Sequence, residues 1–244
     1  KNLTIDGLAF TGAGRIVATA TNATYEGFTL VNSKFYDTNA SATPWADNRY
    51  VMDAVVEFKL KSGGKTKDFT IANNSFVNCN GTVLLMNRAH NLSVGGNLFK
   101  NFTQDGVRIE GGYSHGILAF TNNVFEVEKH NDAYNAIFFY ALSGPDATTK
   151  VVIKNNTFKN LGTKSDAKYD GAISAKTYQE KPASYEIEGN VFDHCLNIMW
   201  LRNNGGNASI WSAKIENNQF LGLPHNQYYG SYRGTDSEST NPHL

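Results

Sequence analysis

The chain has 244 residues, 41% of them hydrophobic, with 22 Lys plus Arg against 22 Asp plus Glu. Zero net charge with no basic stripe gives no electrostatic footprint for nucleic acid, and no apolar run approaches the roughly 18 residues of a membrane-spanning helix. The elements are best read from the N-terminus onward, because one phrase keeps returning.

That phrase is apolar-x-apolar-x-(Asn/Gly)-Asn-x-Phe, anchored by Phe10, Phe35, Phe76, Phe99, Phe125, Phe158, Phe192 and Phe220. Repeats of about 20–50 residues indicate a solenoid, propeller or array. In Phe69–Phe76, Phe69, Ile71 and Phe76 alternate with Thr70 and Ser75, the pattern of a strand with one buried face. After each Phe comes a second apolar run: Val83–Met86, Val107–Glu110, Ala136–Tyr140, Gly171–Lys176 and Ile198–Leu201. Turn-rich stretches such as Gly111-Gly112 and Ser143-Gly144-Pro145 follow. Three short strands per copy and no competing helical period predict a right-handed parallel β-helix of about eight coils over residues 1–223.

Two columns define the repeat. Three residues before each Phe stand Gly7, Asn32, Asn73, Gly96, Asn122, Asn155, Gly189 and Asn217, only Gly and Asn, the residues that best tolerate left-handed angles. Two residues before it, the last six copies carry Asn74, Asn97, Asn123, Asn156, Asn190 and Asn218. Equivalent strands stacked about 4.8 Å apart would pile these amides into an asparagine ladder, each satisfying its neighbour in the interior.

The spacing from Phe35 to Phe76 is 41 residues, against 23 from Phe76 to Phe99. The extra length falls at residues 36–50, 126–135 and 162–170, all along one edge, where insertions usually serve binding. Leu3 is expected in the core of the first coil with an open face below it. A stacking partner or further coils at that end would supply a cap. Residues 224–244 lack the repeat and read as a tail or cap. Cys79 and Cys195 lie three residues after their Phe but four coils apart, roughly 19 Å at the rung spacing. A disulfide needs Cα atoms within about 7 Å, so two separate buried thiols are expected. His90 and His115 fall in equivalent turns of adjacent coils and can approach, but no metal ligand set is visible.

The asparagine ladder beside a left-handed turn, as in Asn73-Asn74 and Asn217-Asn218, resembles the pectate-lyase-like superfamily of right-handed parallel β-helices. The resemblance runs from Leu3 to Leu223. The segment Val55–Asn101 is similar to the chondroitinase B and alginate lyase family, through Glu57–Ser62, Asn73–Phe76 and Gly81-Thr82. That resemblance implies a calcium-binding acid at Glu57, a catalytic Lys at Lys59 or Lys61, and a catalytic Arg in the next coil. Met86 stands at the Arg position, and Arg88 follows two residues later.

In such proteins glycans lie on the outer face of the sheet after the Phe strand. Alternation in Val107–Glu110 turns Arg108 and Glu110 outward. The same reading gives outward pairs Glu57/Lys59, Leu84/Met86, Phe138/Tyr140, Ser174/Lys176 and Met199/Leu201. Arg108, Glu110, Phe138, Tyr140 and Lys176, with Glu57 and Lys59 beyond, form a candidate sugar-binding surface: aromatic faces stack on sugar rings and cations meet carboxylates. Three functions follow. The first is an extracellular or bacterial cell-surface module binding an extended polysaccharide, without cofactor. The second is a β-eliminating lyase on a uronic-acid polymer, with Lys176 or Tyr140 as base, Arg108 as the stabilising cation and calcium as a possible cofactor. The third is a structural stalk, adhesin or tailspike-like segment. Asp105 and Asp170, in a column with Asn80 and Asn135, are read as either a carboxylate pair for hydrolysis or Asx turns before Gly81, Gly106 and Gly171.

Overall fold

The computed structural model describes residues 2–12, 15–20, 23–39, 54–60, 64–128, 135–143, 149–161, 171–177, 184–195, 198–203, 212–222 and 231–233. They form three parallel sheets wound into a right-handed parallel β-helix. Each coil contributes one strand to each sheet in turn. Lys65–Ala72, Ser75–Cys79 and Thr82–Asn87 are the three strands of one coil, and Ala89–Gly95, Leu98–Phe102 and Asp105–Tyr113 those of the next.

The Phe residues pair in strict register from Phe10 to Phe220 along the second sheet. Their rings stack with centroids 4.5–5.4 Å apart and planes within 18° of parallel. Phe69, Val94, Phe120 and Ile153 from the first sheet, and Val56, Leu84, Val107 and Ile137 from the third, close the core around this stack.

The turn between the first and second sheets is built as its composition requires. Gly7, Asn32, Asn73, Gly96, Asn122, Asn155, Gly189 and Asn217 all have φ between +52° and +68°. Beside them the amides form a continuous file. The Nδ2 of Asn74 donates to Oδ1 of Asn97, and the relay passes through Asn123, Asn156 and Asn190 to Asn218, every bond 2.9–3.0 Å. Each Oδ1 also accepts the backbone N–H of the Asn one rung earlier. The second Nδ2 proton goes to a backbone carbonyl, such as that of Val94 for Asn123. Five of these six residues are at most 2% exposed, so the file satisfies polar groups that water does not reach. Ser33 ends the relay: its N–H donates to Asn74, and its hydroxyl donates to Val31 and accepts from Leu8.

A second left-handed column, absent from the sequence reading, stands two residues after every anchoring Phe except Phe125: Gly12, Asp37, Asn78, Asn101, Asn160, His194 and Gly222. It carries its own exposed amide relay, Asn101 to Asn78 to Asp37.

Two further placements complete the coils. Ser231–Arg233, within the C-terminal segment, pairs in parallel with Met199–Asn203 and adds a strand to the third sheet. His90 and His115 lie in strands rather than turns, register partners with rings 4.5 Å apart. Cys79 and Cys195 are free, buried thiols. Burial pushes them up to about 11 and about 12. Most of the long insertions, including Trp45, lies outside the described residues.

The third sheet sets the site, and its register corrects two of the outward pairs. Leu84 pairs with Val56 and Val107, and Met86 with Phe58 and Ile109, all of them in the core. The outward residues of that strand are therefore Leu85 and Asn87, not Leu84 and Met86. Likewise Met199 belongs to the core and pairs in register with Ile173, so it is not an outward residue. Both errors fall on unbroken apolar runs, Val83–Met86 and Ile198–Leu201, where alternation is silent and a one-residue slip flips every side chain.

Candidate functional site

The outward face of the third sheet consists of two files. Among the residues whose side chains are described, one runs Glu57, Leu85, Arg108, Phe138 and Ser174; the other includes Asn87, Glu110 and Tyr140. Arg108, Glu110, Phe138 and Tyr140 come together as expected. Lys176 is one rung further on, paired in register with Tyr140. Glu57 and Lys59 do not join them. Leu85, fully buried although it stands on the outer face, lies between Glu57 and Arg108.

Arg108 is the hub. Its Nε and Nη2 donate to Oε1 of Glu110 at 2.7 and 2.6 Å, and its Nη1 donates to Oδ2 of Asp105 at 3.1 Å. Asn135 bridges onward, its Nδ2 donating to the other oxygen of Asp105 at 2.8 Å while its Oδ1 accepts the N–H of Gly171. All four polar side chains are buried, none more than 8% exposed. Burial pushes Asp105 above the ordinary carboxylate range, against the pull of Arg108 and the hydrogen bonds from Asn135. Burial also opposes the charge on Arg108, but Asp105 and Glu110 keep its guanidinium protonated.

The guanidinium carbon of Arg108 sits 5.0 Å from the Phe138 ring centre and 5.5 Å from that of Tyr140. The two rings are 5.9 Å apart and inclined at 60°. Both are half-buried, each with part of its surface open. A doubly ion-paired arginine thus fixes two aromatic side chains by cation–π contact. Close packing at the strand start tightens the arrangement: a Cβ on Gly106 would fall 2.7 Å from the Ala136 carbonyl oxygen and 2.9 Å from the Phe125 ring.

The proposed Asp column changes with the register. Leu84 opposite Val107 sets Asp105 level with Thr82 rather than Asn80. Asp105 does pair with Asn135, through a side-chain bridge between rungs. Asp170 lies outside the described residues, as does Lys61. Sequence reasoning had no signal for the Asp105–Asn135 bridge, which joins residues 30 positions apart.

At the resembling lyase positions, Met86 is in the core and Lys59 is exposed. The Oε2 of Glu57 accepts from Arg15 at 2.7 Å and from the Ala54 N–H at 3.2 Å. A guanidinium on that oxygen does not fit calcium, which takes six to eight oxygen ligands. Among the described residues no three His, Cys, Asp or Glu stand close enough to hold a metal ion. None of the described residues forms a helix long and apolar enough to cross a membrane.

The molecule is thus defined by its class, a right-handed parallel β-helix with a buried asparagine ladder. No protein-family model matches the chain, and no curated protein matches it. Among solved structures, it aligns with full-length QnrB1, a plasmid-mediated fluoroquinolone resistance protein, at 11% identity and a TM-score of 0.20, over 85% of this chain and 94% of that one. At that score the alignment carries no argument.

Proposed function

We infer that the outer face of the third sheet binds an extended polysaccharide, centred on Phe138 and Tyr140. The chain then acts as a glycan-binding module outside the cytoplasm or at a bacterial cell surface, where such polymers occur. The observation that carries this reading is the fixed aromatic pair. Sugar rings stack on aromatic faces, and a surface held in its bound geometry loses less entropy on binding. Arg108, itself buried and paired with Glu110 and Asp105, holds the two rings in place.

The ladder's likeness to pectate-lyase-like proteins supports the same reading, since a solenoid presents a long, regular face along its axis. Binding is favoured over elimination because Arg108 is already paired with two carboxylates. A lyase needs an uncompensated cation where charge develops on the substrate.

The test is affinity electrophoresis against neutral and acidic polysaccharides, with Tyr140→Ala and the double variant Phe138→Ala/Tyr140→Ala. Loss of one stacked ring is expected to weaken binding about tenfold, or roughly 1.4 kcal/mol, with the thermal midpoint close to wild type. Unchanged binding in the double variant would refute the site. Failure of the wild type to bind any glycan would favour a structural stalk. Growth of ultraviolet absorbance from unsaturated uronate products would favour the lyase.

A further inference from the structure

We propose that His90 and His115 form a chelating pair for a late first-row divalent metal ion, of the zinc, nickel or copper class, which clasps two neighbouring coils of the first sheet. This goes beyond the glycan-binding reading and does not depend on it. The two imidazoles are register partners on the adjacent strands Ala89–Gly95 and His115–Thr121. Their ring centres lie 4.5 Å apart, with planes inclined at 40°. Metal–nitrogen bonds of about 2.0–2.1 Å in tetrahedral geometry need ring nitrogens about 3.3 Å apart, within reach of rings at this spacing. The residue before each histidine, Ala89 and Ser114, is buried, and the imidazoles themselves are half-buried. Alternation therefore turns both rings outward. Lys67 is level with His90, and Glu26 with Lys67, so the four residues make one outward file.

The backbone beneath the pair is fixed. His115 opposes His90 but Leu118 opposes Leu92, so the later strand carries one extra residue, a β-bulge. Gly116 takes it up at φ +69°, and Asn91 lies at +52°. Bulges re-aim side chains and are frequent beside functional sites. This one is pinned from both sides. The Nδ2 of Asn91 donates to Oδ1 of Asp68 at 2.9 Å, and its Oδ1 accepts the Ile117 N–H at 3.3 Å. A Cβ on Gly116 would fall 2.0 Å from that same oxygen. Rings held in place before an ion arrives lose less entropy on binding it. Charge and donor type then select the ligand. Other register partners on this sheet are opposite charges, Glu26 with Lys67 and Lys154 with Glu188. Two protonated histidines would instead be a like-charge pair, whereas neutral imidazoles suit zinc, copper and nickel rather than calcium or magnesium. Lys67 bonds both Glu26 and Asp68, which leaves one negative charge beside the pair. On the strand beyond, the Lys150 ammonium bonds Glu186. The surroundings therefore do not repel a cation. Asp68 is committed to Lys67 and Asn91, so the described residues offer two nitrogens, and water or an incoming donor completes the coordination. Each ligating ring keeps its second nitrogen for a hydrogen bond.

The experiment titrates the tag-free chain with zinc, nickel and calcium ions by isothermal calorimetry, using wild type, His90→Gln, His115→Gln and His194→Gln. Circular dichroism checks each fold. The expected result is one zinc or nickel ion per chain and no calcium, with affinity falling at least about tenfold in His90→Gln and in His115→Gln. His194, an exposed imidazole beside Asp193, is the comparison, and His194→Gln should bind as wild type does. Zinc at a hundredfold excess over its Kd should raise the wild-type thermal midpoint by about 5–10 °C, and by less in the two pair variants. If those variants do not fold, carbethoxylation of the wild type decides: zinc should protect His90 and His115 together, and not His194, as read by peptide mass. Zinc binding equal to wild type in either pair variant, protection of neither ring, or loss of binding in His194→Gln would each overturn the site. The metal pair and the sugar face lie on different sheets, so failure of one leaves the other standing.

Discussion

Asn123 shows how one side chain holds several rungs. Its Oδ1 accepts from the backbone and side chain of Asn97, and its Nδ2 donates to Val94 and Asn156. Removing it strands two donors of Asn97 and the Val94 carbonyl on one rung and takes one of two donors from the Asn156 Oδ1 on another, in a place water does not reach. A buried group left unsatisfied costs about 1–3 kcal/mol. Asn123→Ala is therefore expected to destabilise the protein by about 3–5 kcal/mol in urea denaturation. Asn218→Ala, at the half-buried end of the file, should cost roughly 1 kcal/mol. Equal costs at the two positions would show that the ladder does not act through burial. Gly96 illustrates the complementary constraint. It adopts φ +64°, and the space a Cβ would fill is occupied by Oδ1 of Asn73 one rung below, 2.6 Å away. The Gly/Asn alternation is thus an exchange of volume between neighbouring rungs as well as a matter of backbone angles.

At the level of elements, each sheet makes a different use of its outward face. The first sheet carries a half-exposed charge ladder in which Lys150 and Lys154 bond Glu186, and Lys154 also bonds Glu188. Hydrogen bonds from Lys150 and Lys154 hold Glu186 below the usual carboxylate range, and one from Lys154 does the same for Glu188. A carboxylate depressed in the folded state stabilises above its unfolded pKa, near 4.3, and loses that contribution as pH falls through the folded value. The thermal midpoint should therefore drop as pH falls below about 4.3, and less steeply in Glu186→Gln/Glu188→Gln. High salt should shrink the difference, since solvent reaches the groups. An acid slope identical in wild type and variant would exclude these pairs as its source. The ladder and the Phe stack were legible because side chains of one kind recur at fixed offsets, as Asn123 and Phe125 do beside Asn156 and Phe158. Arg108, Glu110, Phe138 and Tyr140 were legible because Val107 and Ile109 alternate with Arg108 and Glu110. Leu85 was not, because its neighbours are apolar on both sides and only pairing with adjacent strands decides which face it takes. The Asp105–Asn135 bridge was hidden for another reason: it depends on contact between coils, which no local pattern records.

For the whole molecule, register is the quantity on which function depends. A solenoid is held by nearest-neighbour contacts between successive coils, so each rung passes its alignment to the next. The Phe stack and the asparagine file fix that alignment from inside, and the outer files of the third sheet inherit it. The aromatic pair at Phe138 and Tyr140 exists as a surface only if these residues are level with Arg108 and Glu110 on one side and with strand Ile173–Thr177 on the other. Disulfide trapping reads this directly. Cysteines in register on neighbouring parallel strands lie within the Cα range of about 4.4–6.8 Å that a disulfide accepts. Ser174→Cys/Trp200→Cys should oxidise to a cross-linked monomer, while Ser174→Cys/Met199→Cys stays reduced under the same conditions. Cross-linking through position 199 and not through position 200 would contradict the register and, with it, the surface assigned to the ligand.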